Sequence, residues 1–260
     1  MHVPVSTNLT RWLGGLGVAL LLAAATTTVG TSGPSPGVAV PAAVPVTREI
    51  HAHARAAVAA VPLHFETNRG QVDRQFDFTA AGAGYRVGLA ADRATIVLTD
   101  RGHTSNTFRF VLDGARADAE PQALETLPGT TSYYRGNDPA QWQVGVATHA
   151  RVRYAGVFDG IDVIYYGNQQ RLQYDFVVAP GADPHSIAFH VEGADRLSIG
   201  PDGQLQMAVG DRVLEQGRPF TYQEVGGQRR EIASRFVLDG TGVRFAVGAY
   251  DRSRPLIIDR

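Results

Sequence analysis

Ile161-Asp162-Val163-Ile164-Tyr165-Tyr166, then Gly167-Asn168-Gln169-Gln170, then Arg171-Leu172-Gln173-Tyr174-Asp175-Phe176-Val177-Val178 is the stretch that decides the fold. The first run is β-branched and aromatic. In the return run Leu172, Tyr174, Phe176 and Val178 share one face, while Arg171, Gln173 and Asp175 take the other. A period of two marks a half-buried strand, and two such runs across a Gly-Asn turn mark a hairpin. Pro180-Gly181-Ala182-Asp183-Pro184 ends it, because neither proline can donate to a ladder.

The same grammar extends in both directions. Phe76–Phe78, Tyr85–Leu89, Thr95–Leu98 and Phe108–Leu112 read as short strands before the hairpin. Leu197–Ile199, Leu205–Met207, Phe220–Tyr222, Arg235–Leu238 and Val243–Val247 read as strands after it. Turns such as Gly82-Ala83-Gly84, Asp113-Gly114, Pro201-Asp202-Gly203 and Gly226-Gly227 separate them, and no long amphipathic helix intervenes. This spacing predicts an all-β, antiparallel β-sandwich rather than βαβ units. Phe110–Ala115 echoes Phe189–Ala194, and Arg109–Gly114 matches Arg235–Gly240 residue for residue. Two packed sandwich-like halves, 62–150 and 151–260, divided near Trp142–Arg153, would produce such an echo. So would the limited vocabulary of strands that end in an acidic-Gly turn.

With 260 residues, 44% of them apolar, the chain can bury a substantial core. A net charge of -1 gives no electrostatic case for nucleic acid or for an anionic membrane surface. Without cysteine, disulfides, thiolate metal sites and thiol nucleophiles are excluded. The start reads as an export signal (1–25), with Arg11 closing a short n-region, Trp12–Ala25 as the apolar core and Ala23-Ala24-Ala25 for cleavage. That apolar run falls short of the ~20 residues that span a bilayer. Membrane attachment is therefore expected only if the signal segment stays uncleaved. Residues 26–47, rich in Pro, Thr and Ala, read as a flexible linker. Residues 48–61 read as one short N-terminal helix, with Pro62 as its stop, ahead of the β-rich part of a 48–260 domain. His51 and His53, two apart, would point in different directions on that helix and could not share a metal.

Several longer motifs carry a resemblance. They are Pro62–Asp73 (PLHFETNRGQVD), Leu127-Pro128-Gly129, Tyr133–Pro139 (YYRGNDP) with Trp142, and Asp159–Asp162. Tyr174–Pro184 (YDFVVAPGADP), Tyr222-Gln223-Glu224 and Tyr250–Asp259 (YDRSRPLIID) complete them. Together they resemble the N-terminal domain of bacterial SBBP (β-propeller) repeat proteins over Pro62–Asp259. The resemblance implies a secreted or cell-surface β-rich module of uncharacterised function, usually followed by propeller repeats. This chain stops at Arg260, where such proteins continue. The expectation is thus either a stand-alone version or a truncated frame. A cap for missing repeats would leave an exposed apolar edge near Leu256–Ile258.

The residues that bear chemistry each have two readings. Asp138, Asp159 and Asp162 offer hard oxygen donors of the kind Ca²⁺ takes, or simply build turns. Glu66, Asp73, Asp159 and Asp162 supply the carboxylates that a glycoside hydrolase would set across a cleft. Asn68 and Gln71 are candidate binding groups, or else bond local backbone around a Gly70 with positive φ. No Gly-x-Ser-x-Gly elbow, no His-Glu-x-x-His pair and no phosphate loop is present, and no cofactor is expected. His64, His149 and His190 read as lone histidines within strands. Aromatic residues crowd the middle of the chain. Tyr133, Tyr134, Trp142, Tyr165 and Tyr166 are the candidate rings for stacking sugar faces, with Tyr165 and Tyr166 on opposite sides of one strand. The expected function is that of an exported, non-catalytic interaction module at the cell surface, with glycans or proteins as partners. The alternative is a secreted polysaccharide-acting enzyme.

Overall fold

The computed structural model describes residues 63–259 apart from 83, 101, 102, 169 and 211. The export segment, the linker and the short helix expected before Pro62 lie outside the described residues, as do His51 and His53.

The strands in chain order begin with β1 (Phe65–Thr67), β2 (Phe78–Gly82), β3 (Tyr85–Ala90), β4 (Arg93–Asp100), β5 (His103–Leu112) and β6 (Glu120–Tyr133). Next come β7 (Gln143–Phe158), β8 (Ile161–Asn168), β9 (Arg171–Val178), β10 (Ala188–Glu192), β11 (Arg196–Ile199) and β12 (Leu205–Val209). The last are β13 (Arg212–Gln216), β14 (Phe220–Val225), β15 (Gln228–Ile232), β16 (Ser234–Asp239), β17 (Gly242–Val247) and β18 (Leu256–Asp259). Every pairing among them is antiparallel. Fifteen strands form one sheet, in the path β15-β14-β18-β9-β8-β7-β1-β2-β3-β4-β5-β10-β17-β16, with β6 also on β7; β11-β12-β13 form a small second sheet. The expected all-β, sandwich-like fold is present.

The central hairpin is β8–β9, in the register Tyr165↔Tyr174 and Val163↔Phe176. Its period of two is physical: Ile161, Val163, Tyr165, Phe176 and Val178 are buried, while Asp162, Ile164, Tyr166 and Asp175 lie on the opposite, half-open face. β7 is where the large sheet divides. His149 pairs with Phe65 on one side and Thr126 on the other, whereas Arg151 pairs with Tyr166 and Leu124. So β1 and β8 lie end to end along one edge of β7, and β6 runs along the other. At that junction Gly167 leaves no room for a Cβ, which would sit 2.6 Å from the Leu63 carbonyl oxygen.

Two limbs leave β7, and a chain of rings joins their inner faces. Tyr154 meets Tyr165, Tyr165 meets Tyr174, and Tyr174 meets Phe176, all on β7, β8 and β9. Phe176 then touches Phe245 of β17 at 5.9 Å between centroids, and Phe245 touches Phe236 of β16 and Phe189 of β10. Since β9 and β17 are far apart along the sheet path, the sheet must fold over so that its limbs face each other. Aromatic contacts of this kind add about 0.5–1.5 kcal/mol each beyond the area they bury. At the far end of the path, β15 and β16 are joined by the single residue Ala233, so the two terminal strands meet at one corner.

One feature departs from the sequence reading. β18 is an interior strand between β9 and β14, with Leu256 and Ile258 fully buried, so the exposed apolar edge expected there is not formed. Of the stretch considered for a division, Trp142–Arg153, the residues from Gln143 onward belong to β7. The echoing segments are sheet neighbours: Phe189 pairs with Leu112 and Val191 with Phe110, and β16 lies two strands further along.

Candidate functional site

The candidate residues gather in two places, and the first is the tip of the β6–β7 hairpin. Asp138 caps a one-turn 3₁₀ helix (Pro139–Gln141) by accepting the Ala140 N–H at 2.9 Å, which folds the chain back on itself. The turn brings Tyr134 and Trp142 together edge to face, 5.2 Å between centroids. The indole N–H donates to the Gly136 carbonyl at 3.3 Å. Tyr134 is 64% exposed, and Val144, 59% exposed, follows two residues after Trp142. Trp142 itself is half-buried, and Arg135, Asn137 and Gln141 of the same tip are exposed.

Beneath the tip, the other candidates serve the backbone. Tyr133 donates to the buried Glu66 at 2.6 Å. Burial pushes the Glu66 carboxyl up, but hydrogen bonds from His64, Tyr133 and Thr131 outweigh it and hold the group below its usual range. The Tyr133 phenol is pushed up to about 12 by burial and by Glu66. Gln71 is buried, donating to the Thr67 carbonyl and accepting the Arg69 N–H. Arg135 spans the two loops, stacked on Tyr133 at 5.5 Å and donating to the Gln71 carbonyl at 2.7 Å. Asn68 donates to the carbonyls of Asp73 and Phe76 and accepts the Gly70 N–H, and Gly70 has the positive φ (107°) expected of it. Asn68, Gln71, Tyr133, Tyr134 and Trp142 thus form one neighbourhood in which Tyr134 is exposed against a half-buried Trp142 and the amides brace the loop.

The second place is the outer face of β8, β9 and β18. Cross-strand register sets Asp175 opposite Asp259, and the Tyr166 hydroxyl, with one proton to donate, lies within hydrogen-bond reach of both, at 2.9 and 3.2 Å. Burial and the Asp259 charge push Asp175 up to about 6. Burial and the two carboxylates drive the Tyr166 phenol well above its ordinary value. Arg151 lies over the Tyr166 ring at 5.3 Å, and Arg229 covers Tyr222 at 4.4 Å. Tyr165, on the opposite side of β8, is 3% exposed and belongs to the core.

The remaining acidic candidates stay apart. Asp162 pairs with Arg153 at 2.6 Å and accepts the Gly156 N–H. Asp73 accepts the Gln75 N–H, and Asp159 lies exposed in the β7–β8 turn. Among the described residues no group of three or more His, Asp or Glu could hold a metal ion. His149 is buried, and burial pulls its pKa down; His190 lies 2.6 Å from Asp113. Sequence reasoning missed the Asp175–Asp259 pair. Its one available signal was an acidic residue at an outward position of the best-defined strand, since the partner strand is 81 residues further on.

Fold and surface together define a sandwich-like all-β module with a solvent-facing aromatic tip. The chain belongs to a family described as a domain of unknown function (DUF7948), whose model matches residues 65–259. No curated protein and no solved structure matches the chain.

Proposed function

We propose that this chain is an exported, non-catalytic interaction module of the bacterial cell surface or extracellular space, of the kind that precedes β-propeller repeats. We infer further that it engages envelope or extracellular glycans through the β6–β7 tip. The observation behind this reading is the Tyr134–Trp142 pair, held edge to face with Tyr134 exposed and Trp142 half-buried beside it. Sugars present C–H faces that pack on aromatic rings and hydroxyls that need polar neighbours. Asn137 and Gln141, exposed on the same tip, could supply the latter. Of the carboxylates considered for hydrolysis, Glu66, Asp73 and Asp162 are engaged with Tyr133, a turn N–H and Arg153, and Asp159 lies apart from them in the β7–β8 turn, which favours a binding module. The test is a glycan array probed with the full chain, followed by titration of each hit against Trp142→Ala and Tyr134→Ala. Loss of either ring should weaken binding about tenfold, as expected for a ring at the centre of a contact. An array without hits, or undiminished binding by both folded variants, would end the glycan reading.

One observation favours the alternative of a secreted polysaccharide-acting enzyme, with different carboxylates from those expected. Asp175 and Asp259 adjoin, and the raised pKa of Asp175 is of the kind a general acid requires. They lie side by side on one sheet face, tied to one phenol, whereas hydrolysis needs two carboxyls on opposite sides of the scissile bond. Release of reducing ends by the wild-type chain and not by Asp175→Asn would replace the module with the enzyme.

A further inference from the structure

The space between the limbs is filled only in part. An open-mouthed pocket of about 800 Å³ lies among residues of β4, β5, β8, β9 and β10, with the β12–β13 hairpin as its outer wall. Its deep end is closed by the packed rings of Phe108, Phe176 and Phe189, each 1% exposed, and its walls are the half-buried Tyr85, Ile96, Phe110, Leu172 and Leu214. Its mouth opens where strands end, among Arg171, Val213, Glu215 and Gly217, all exposed. The hairpin is fastened across it by Gln216, which donates to the Tyr174 hydroxyl at 2.6 Å. On the opposite wall, Tyr85 donates to the Gln170 carbonyl at 2.6 Å.

The lining limits what can occupy this space. Water against the apolar walls finds few of the two to four polar partners it needs, so an apolar occupant would displace it at little cost. Pockets that take small ligands are of about 300–1,000 Å³, mostly apolar, with few polar groups at the opening. The charges at this opening decide the class of ligand. Arg171 would attract an anionic head, but Glu215, also at the mouth, opposes it. An acyl chain ending in a carboxylate gains nothing here, and an uncharged molecule loses nothing.

We propose that the interior of the sandwich is a binding site for an uncharged hydrophobic small molecule of the neutral-lipid class, entering past Arg171 and Val213. The site is separate from the aromatic tip and does not depend on the glycan reading. The full chain is titrated with the neutral fluorophore N-phenyl-1-naphthylamine. Saturable, blue-shifted fluorescence is expected, displaced by monooleoylglycerol and about tenfold less effectively by oleate. Leu214→Glu, which brings a carboxylate to the apolar wall, should weaken the fluorophore at least about tenfold. Ala94→Phe, which fills the deep end, should do the same, whereas Arg171→Gln should leave affinity within about twofold. Far-UV circular dichroism and a cooperative melt establish that each chain is folded. Displacement from the wild-type chain needs no variant and keeps the test decisive if both wall substitutions unfold the protein. Failure of a folded wild-type chain to bind the fluorophore saturably would overturn the proposal. So would equal displacement by oleate, unchanged affinity in folded Leu214→Glu and Ala94→Phe, or loss of binding in Arg171→Gln.

Discussion

Asp175→Asn should stabilise this protein at neutral pH. The carboxyl is pushed from 3.8 up to about 6 by burial and by Asp259 across the strand, so the fold holds its proton more tightly than the unfolded chain does. Between those two values the native state binds more protons, and stability falls as pH rises. The favourable contribution of the protonated group is complete below the unfolded pKa and is lost as pH rises through about 6. Keeping Asp175 charged at neutral pH then costs on the order of 3 kcal/mol. Its partial exposure screens that to about 1–2 kcal/mol. An asparagine retains an oxygen to accept from Tyr166 and removes the charge that opposes Asp259. Urea unfolding of the full chain and the variant, at about pH 7 and about pH 4, measures the difference. The variant should gain about 1–2 kcal/mol at the higher pH and little at the lower. A variant that is less stable at neutral pH, or that shows the same difference at both, would refute the electrostatic account of this pair.

Tyr133→Phe removes the 2.6 Å bond to buried Glu66 and should cost about 1.5–3 kcal/mol at neutral pH, read from thermal melts. Because Glu66 is held below its ordinary value, the stability it contributes is present above the unfolded pKa of 4.5 and lost as pH falls through the folded one. The penalty should therefore shrink in acid; an unchanged penalty there would count against a carboxylate acceptor. Gly193→Ala should cost at least about 2 kcal/mol, since φ is +84° and the added Cβ would run into the Thr107 carbonyl of β5. Gly240→Ala, at φ +61° with open space around it, bears only the strain and should lose about 1 kcal/mol; equal losses would dismiss the steric part.

Strands whose two faces differ in environment were legible in the sequence. β8, β9, β12 and β18 alternate because one side meets the core and the other meets solvent or a polar layer. The two longest strands were not. In β6, Pro121 and Pro128 interrupt the run, Glu125 turns to positive φ, and the pairing shifts register twice, so no period survives over its 14 residues. β7 changes neighbours along its length, so the face that is buried at one end is not dictated by the same surroundings at the other. β13 and β15 are short and largely polar, and their strand character comes from the partners they pair with. At the tip, the sequence marked the rings and the turn, because Asn137-Asp138-Pro139 is local chemistry. The Asp175–Asp259 pair is not local. Strand order alone brings it together, and no reading of either segment by itself contains it.

Ala233 carries a last consequence. Ile232 and Ser234 are held at opposite ends of the large sheet, and neighbouring α-carbons across a trans peptide lie only about 3.8 Å apart. Hydrogen bonds join the limbs continuously through β7, whereas at the far margin the covalent chain ties them at one point only. The result behaves as a sleeve sewn along one seam and buttoned once on the other. Any parting of the far margin must pivot on Ala233, and packing of the inner faces alone holds it shut beyond that button.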